Sequence, residues 1–364
     1  LLLPGRMLRG VEIERRAPGQ AFQGEEVRVD LVVTNRSKGA RLALDVRDEH
    51  LERSRAFVLR LPPGERAVVE TRRRAVARGP SRTDHVVLSS GAPFGVAERR
   101  RRLAAASETI VYPRVVPLDD LPFIEAAPTP ERALHSVPRR GTGPEYLGIR
   151  EYRMGDSLRH VHWPSTARHG EVMVREFERE QTRRVAIVID AIADAGTGET
   201  PLDRCCSIAA SVAFAAHGAG QGVRLVSSAG GRAMSFGRDP NALLRWLAEL
   251  RPGGGVTLAE VLEGLGRDVL GAETVLVTVP TWRANAPEVL HDAVADLAWR
   301  APRVVAAIVE VDTFAGTERA PTLDPRHVDA LTDTLWAAGA TVVRVGAETD
   351  LRAALGDVPT RTRA

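Results

Sequence analysis

Val185–Asp190 reads VAIVID, five apolar residues closed by a carboxylate. A short, mostly β-branched run of this kind reads as a strand buried on both faces, the kind parallel sheets use. The chain beyond it keeps one rhythm. A helical segment covers Leu202–His217, followed by VRLVSS (Val223–Ser228), ALLRWLAEL (Ala242–Leu250) and LAEVLEGLGRDVL (Leu258–Leu270). TVLVTV (Thr274–Val279), EVLHDAVADLAWR (Glu288–Arg300), VVAAIVEV (Val304–Val311), VDALTDTLWAAG (Val328–Gly339) and TVVRV (Thr341–Val345) complete it. Strands alternating with helices predict an open α/β domain with a parallel sheet over residues 185–364. Trp246, Trp299 and Trp336 fall at helical positions and are expected to pack.

The first 116 residues have a different period. VRVDLVVTN (Val27–Asn35), LALDVRD (Leu42–Asp48), AFVLRLP (Ala56–Pro62), AVVETRRRAVARG (Ala67–Gly79), TDHVVLSS (Thr83–Ser90) and ETIVYP (Glu108–Pro113) are short, strand-like and separated by turn residues. They predict an all-β sandwich over 1–116. Arg99–Arg102 is expected as an exposed strand or loop. Residues 117–138, with Pro117, Pro122, Pro128, Pro130 and Pro138, read as an irregular connector.

A chain of 364 residues accommodates two such domains, and 44% hydrophobic with 27% charged content fits a globular protein. Charge is uneven: residues 1–120 are net +7, 121–184 net +2 and 185–364 net −6. A basic front half suits an anionic membrane surface or a nucleic acid, and the plain reading is a solvated, arginine-rich surface. Nucleic acid is not expected, because acidic residues interleave the arginines. Cys205 and Cys206 are adjacent, too strained for an ordinary disulfide and wrongly spaced for zinc, so a buried helix in a reducing compartment is expected. No run of about eighteen apolar residues is present. The start at Leu1-Leu2-Leu3-Pro4, without Met, leads us to expect a segment upstream.

Open parallel sheets bind ligands at the carboxyl ends of their strands, which singles out Asp190. DAIADAGTG (Asp190–Gly198) supplies neither a phosphate loop nor a dinucleotide fingerprint. The arrangement resembles a von Willebrand factor A domain, whose first-strand Asp-x-Ser-x-Ser helps hold a divalent cation. Here the serine positions are Ile192 and Asp194, Thr257 stands where that family places its threonine, and Val279 replaces its later Asp. The resemblance therefore implies a degenerate cation site at Asp190, Asp194 and Thr257. No metal or other cofactor is assigned, and at most weak Mg2+ or Mn2+ binding is expected.

REYRMGDSLRHVHWPSTARHG (Arg150–Gly170) is the densest polar stretch. His160 and His162 are two residues apart, with no third well-placed metal ligand. Ser165, His162 and Asp156 lack the strand–turn–helix frame of a nucleophile elbow. The remaining reading is a network in which Arg150, Arg153, Arg159, Arg168 and Arg175 pair with carboxylates, Asp156 capping the following segment. Such a network either locks this segment to the α/β core or faces a partner, since Arg, Trp and Tyr anchor interfaces.

RRGTGPEYLGIREYRMGDSLRHVHWPSTARHGEVMVREFERE (Arg139–Glu180) closely resembles the signature of the bacterial "domain of unknown function 58" family. The matching positions include Gly141, Gly143, Gly148, Arg150, Tyr152, Gly155, Asp156, Arg159, Trp163, Arg168, Arg175, Glu176 and Phe177. With His162, the polar members among these form the candidate partner-binding or structural network, within a signature segment (139–184) expected to pack on the C-terminal domain. The resemblance assigns no catalytic residue. It implies a non-enzymatic, membrane-tethered adaptor or assembly factor whose missing N-terminal helices anchor it in the cell membrane, its domains on the cytoplasmic side. It also implies partnership with a MoxR-type AAA+ ATPase and with a transglutaminase-like membrane protein. The alternative is a cation-dependent, protein-ligand-binding von Willebrand A module.

Overall fold

The computed structural model describes residues 3–48, 55–92, 98–118, 121–124, 140–151, 162–169, 171–178, 184–229, 233–237, 239–268, 273–318 and 320–358. A short helix α1 (Leu3–Met7) precedes eight strands: β1 (Val11–Arg16), β2 (Gln20–Phe22), β3 (Glu26–Asn35), β4 (Arg41–Arg47), β5 (Arg55–Leu61), β6 (Arg66–Arg74), β7 (Gly79–Ser90) and β8 (Arg99–Tyr112). They form two sheets, β1-β3-β6 and β2-β8-β7-β4-β5. Alternation places Val11 and Ile13 of β1, Val27, Val29, Leu31 and Val33 of β3, Val46 of β4 and Val86 and Leu88 of β7 in one shared core. Arg15 also points inward and is made tolerable by full pairing. Its Nε and Nη2 donate to Asp48 at 3.0 and 2.6 Å, while Nη1 reaches the Thr83 and Ala105 carbonyls.

The second half begins with β9 (Arg140–Glu151), α2 (Trp163–His169) and β10 (Met173–Glu178). Strands β9 and β10 pair antiparallel in a sheet of their own, with a register shift between Glu176 and Phe177. Then follow β11 (Arg184–Ile189), α3 (Pro201–Gly218), β12 (Gly222–Ser227), β13 (Ala233–Gly237), α4 (Pro240–Glu249), α5 (Leu258–Asp268) and β14 (Glu273–Pro280). The last elements are α6 (Pro287–Arg300), β15 (Arg303–Val309), α7 (Pro325–Ala337), β16 (Thr341–Val345) and α8 (Leu351–Gly356). One six-stranded sheet has the order β13-β12-β11-β14-β15-β16, parallel except for the antiparallel edge strand β13. VAIVID is its central strand. Ile187 and Ile189 face a core shared with α3, α4 and α8, while Ala186 and Val188 face α5, α6 and α7. Helices on both faces explain the unbroken apolar run.

One expectation changes. Trp299 and Trp336 are 74% and 55% exposed, because α6 buries the stripe Leu290-Ala293-Val294-Leu297 and α7 buries Val328-Leu331-Leu335. Trp299 stands two residues past Leu297 and Trp336 one past Leu335, both off the stripe. Trp246 packs in part against the core. The described part of the proline-rich connector is irregular, as expected of its prolines, and packs as a strap. Leu121 and Phe123 are buried in the α3 core, and Arg303 and Arg352 donate to the carbonyls of Pro122 and Pro117. Finally, β9, β13 and α8 had no clear signal of their own.

Candidate functional site

Counting the sheet's strands along the chain gives 3-2-1-4-5-6, so the winding reverses between β11 and β14. A crevice at such a switch point is where open α/β sheets carry ligands. Asp190 sits there, just beyond β11, and is fully buried. Its Oδ1 accepts from the Ile192 amide (3.0 Å) and the Ser228 hydroxyl (2.8 Å), and its Oδ2 accepts from Asn285 Nδ2 (2.7 Å). Ser228 Oγ in turn accepts from the Ala191 amide at 2.7 Å, and Asn285 spends its second amide hydrogen on the Pro280 carbonyl. The carboxylate thus ties the ends of β11, β12 and β14 together.

Asp194 and Thr257 have separate employments. Asp194 accepts from Thr200 Oγ1 (2.9 Å) and the Leu202 amide (3.2 Å), holding the β11–α3 loop against the start of α3. Burial raises its pKa, opposed by those hydrogen bonds. Thr257 exchanges hydrogen bonds with Glu260 at the start of α5, a reciprocal cap. A divalent cation needs several free oxygen ligands, and these carboxylate oxygens already accept from protein donors. The residues present do not fit such an ion, and no cluster of three His, Cys, Asp or Glu able to hold a metal occurs among the described residues.

A second polar centre lies where the β-rich half meets the α/β half. Asp203, the third residue of α3, completes a capping box with Thr200. It also accepts from Arg78 Nε at 3.0 Å and Gln23 Nε2 at 2.7 Å. Arg78 Nη1 donates to the carbonyls of Leu247 and Leu250, which end α4. One guanidinium therefore joins an acid at one helix N-terminus to the orphan carbonyls of another helix's C-terminus, the favourable side of both dipoles. The Arg78 and Asp203 side chains are 3% and 8% exposed. Gly79 follows because the chain turns there with φ +108° against α4. The chain leading into the connector adds Ser207 Oγ to the Arg114 carbonyl at 2.6 Å and the Val116 amide to Ser211 Oγ at 2.9 Å. Helix α3 is buried all round from Pro201 to Ala213, including Cys205 and Cys206, because the sheet covers one side and Tyr112, Leu121 and Phe123 the other.

Of the signature residues, Tyr152, Asp156 and Arg159 lie outside the described residues, as does His160. Arg150, Arg175 and Glu176 occupy ladder positions of the β9–β10 ribbon, opposite Val174, Ile149 and Gly148. Trp163 opens α2, and Arg168 is an exposed residue of it. His162 is not a strand residue: its carbonyl accepts from the Thr166 amide, and its Nδ1 lies 2.8 Å from Ser165 Oγ. Accepting the Ser165 amide at the same nitrogen, it acts as a cap for α2.

Residues 148–276 match the family described as "Protein of unknown function DUF58". That stretch of the chain is similar to this family. The DUF58 match runs from the end of β9 into β14, so it contains Asp190, Asp194, Asp203 and Thr257 but not Arg78 or Asn285. No curated protein matches the chain. Among solved structures, a CARDB domain from Pyrococcus furiosus in complex with di-metal ions is 17% identical, with a TM-score of 0.22 over 28% of this chain and 91% of that one. A β-glucosidase from Erythrobacter marinus is 19% identical, TM-score 0.15, over 26% and 15%. A GH20 exo β-N-acetylglucosaminidase from Vibrio harveyi is 8% identical, TM-score 0.20, over 92% and 76%. Likenesses at these TM-scores assign neither a fold nor an activity.

Sequence reasoning missed Arg78, Gln23, Ser228 and Asn285 because their roles depend on contacts between 37 and 180 residues apart. Asp203 was findable: TPLD (Thr200–Asp203) has the spacing of a capping box before an apolar run.

Proposed function

We propose that this protein is a non-enzymatic adaptor, held at a membrane, whose β9–α2–β10 segment is the docking surface for a MoxR-type AAA+ ATPase. The observation that carries the reading is the ribbon itself. Among the described residues its two strands pair only with each other, outside the six-stranded sheet, and Arg168 and Val172 beside it are exposed. An Arg-bearing edge with an aromatic at its helix suits a protein interface. The von Willebrand A likeness belongs to the same reading, as a scaffold whose switch point is closed by Asp190, Ser228 and Asn285. A transglutaminase-like membrane protein is a further proposed partner.

The test is co-purification of the full chain with the AAA+ ATPase encoded beside it. Arg168→Glu and Arg159→Ala are expected to weaken capture at least about tenfold while circular dichroism stays unchanged. Folded variants that capture the ATPase as well as the parent would refute the docking role. Titration with Mg2+ or Mn2+ is expected to release no binding heat and leave Tm unchanged. A cation-dependent shift would instead favour the module reading.

A further inference from the structure

Strand β8 runs from Arg99 to Tyr112, so its two ends lie roughly 40 Å apart at strand rise. The Tyr112 end, with Arg78 and Gly79 of β7 alongside, is the docked one. The far end is the opposite in character. Arg99, Arg100, Arg101 and Arg102 are all exposed, and α1, bearing exposed Arg6 and followed by exposed Arg9, lies against β4, β7 and β8 there. Arg41 beneath it has its pKa pushed down by burial and by Arg6, a sign of crowded cations. The turn between β3 and β4 carries Arg36 and Lys38, the single lysine of the chain, both exposed.

Apolar groups accompany these charges. Phe57 and Leu59, two residues apart on one face of edge strand β5, are 60% and 72% exposed. The ladder aligns Phe57 with Asp45, Ser89 and Arg100, which places them on one sheet face. Asp45 and Glu98 on that side are each engaged by an arginine, Arg47 at 3.2 Å and Arg100 at 3.3 Å.

We propose that this end of the β-rich domain is a seat for an anionic bilayer surface, its arginines meeting headgroup phosphates while Phe57 and Leu59 dip into the acyl boundary. Charge complementarity selects the partner, since cations near an anionic leaflet add up and exposed apolar groups gain from burial there. Single-stranded nucleic acid would want successive aromatic platforms, and among the described residues Phe57 is the one aromatic exposed on this face. The inference rests on the membrane placement in the reading above but not on the ATPase. Vesicle binding is measured without ATPase and ATPase capture without lipid, so the two fail separately.

The experiment is flotation of the full chain with vesicles of phosphatidylcholine containing about one-third phosphatidylglycerol, against pure phosphatidylcholine. Binding is expected only to the anionic vesicles and is expected to fall steeply between low and physiological salt. Arg100→Glu with Arg102→Glu, on the face that Phe57 shares, is expected to lower partitioning at least about tenfold, and Phe57→Ser with Leu59→Ser several-fold. Thermal unfolding identifies variants that no longer fold, and the salt response of the parent chain then decides alone. Equal binding to both vesicles, no binding, or salt-insensitive binding would overturn the proposal. So would folded charge variants that bind like the parent, or an oligonucleotide captured through these arginines while vesicles are ignored.

Discussion

Removing Asp203 tests whether the two halves are one mechanical unit. Asp203→Ala deletes the acceptor of Arg78 Nε at 3.0 Å and of Gln23 Nε2 at 2.7 Å, and breaks the capping box with Thr200. The guanidinium stays buried with carbonyl partners but without its counter-charge. Stranding one member of a buried pair costs about 3–5 kcal/mol, and losing a helix cap about 1 kcal/mol more. Arg78→Met keeps most of the volume and leaves Asp203 its amide and Gln23 donors, so about 2–3 kcal/mol is expected, mostly from the orphaned Leu247 and Leu250 carbonyls. The double variant should then cost much less than the sum, a coupling of about 2 kcal/mol or more. Urea unfolding supplies the readout. All five tryptophans lie at or beyond Trp163, so fluorescence follows the α/β half while far-ultraviolet circular dichroism follows both halves. In the parent the two transitions should coincide; in Asp203→Ala they should separate. A loss under about 1 kcal/mol with coincident transitions and no coupling would refute the lock.

Gly79→Ala should destabilise by about 2 kcal/mol or more, since φ is +108° and a Cβ would lie 3.1 Å from the Ala248 carbonyl oxygen; the urea midpoint checks it. Asp194 has a folded pKa raised by burial above its ordinary 3.8, so its stabilising contribution is full below that value and lost as pH rises through the raised one. Asp194→Asn should therefore remove a downward slope of stability with rising pH across the acid range, read by urea unfolding at stepped pH. Burial pushes the Cys206 thiol up to about 12 and Cys205 well above its usual value, so neither should react with a disulfide reagent at pH 8 until the chain is unfolded. Prompt labelling of the native protein would show that α3 is not covered.

The parts of the fold that came through in sequence were those whose signal is local. VAIVID, TVLVTV and VVAAIVEV are buried on both faces, so their composition alone marks them as central strands. The adjacent cysteines announced a buried helix because no other common use suits them. The unread parts depend on distant contact. Trp299 looks like a core residue until the phase of Leu290, Val294 and Leu297 is fixed. Proline marked the connector from residue 117 as irregular but could not show that Leu121 and Phe123 bury there. The candidate site was half legible: Asp190 followed from the end of a strand, but the groups that satisfy it come from Ser228 and Asn285 in other crossovers. Its neighbours in the von Willebrand-like pattern, Asp194 and Thr257, turned out to cap two different helices.

The start of α3 is where the switch point and the domain junction meet, and a single hydroxyl joins them. Thr200 Oγ1 donates to Asp194 Oδ2 at 2.9 Å and accepts from the Asp203 amide at 3.2 Å. The first bond holds the loop that leaves Asp190; the second orients the residue that grips the β-rich half. Thr200→Val keeps the shape and removes both, and should cost about 1–2 kcal/mol, whereas Thr200→Ser should stay within about 0.5 kcal/mol of the parent. Because the Arg78–Asp203 pair survives in Thr200→Val, its fluorescence and circular dichroism transitions should still coincide. If they separate instead, the hydroxyl rather than the ion pair is what couples the halves, and Asp203→Ala would then act chiefly through the cap.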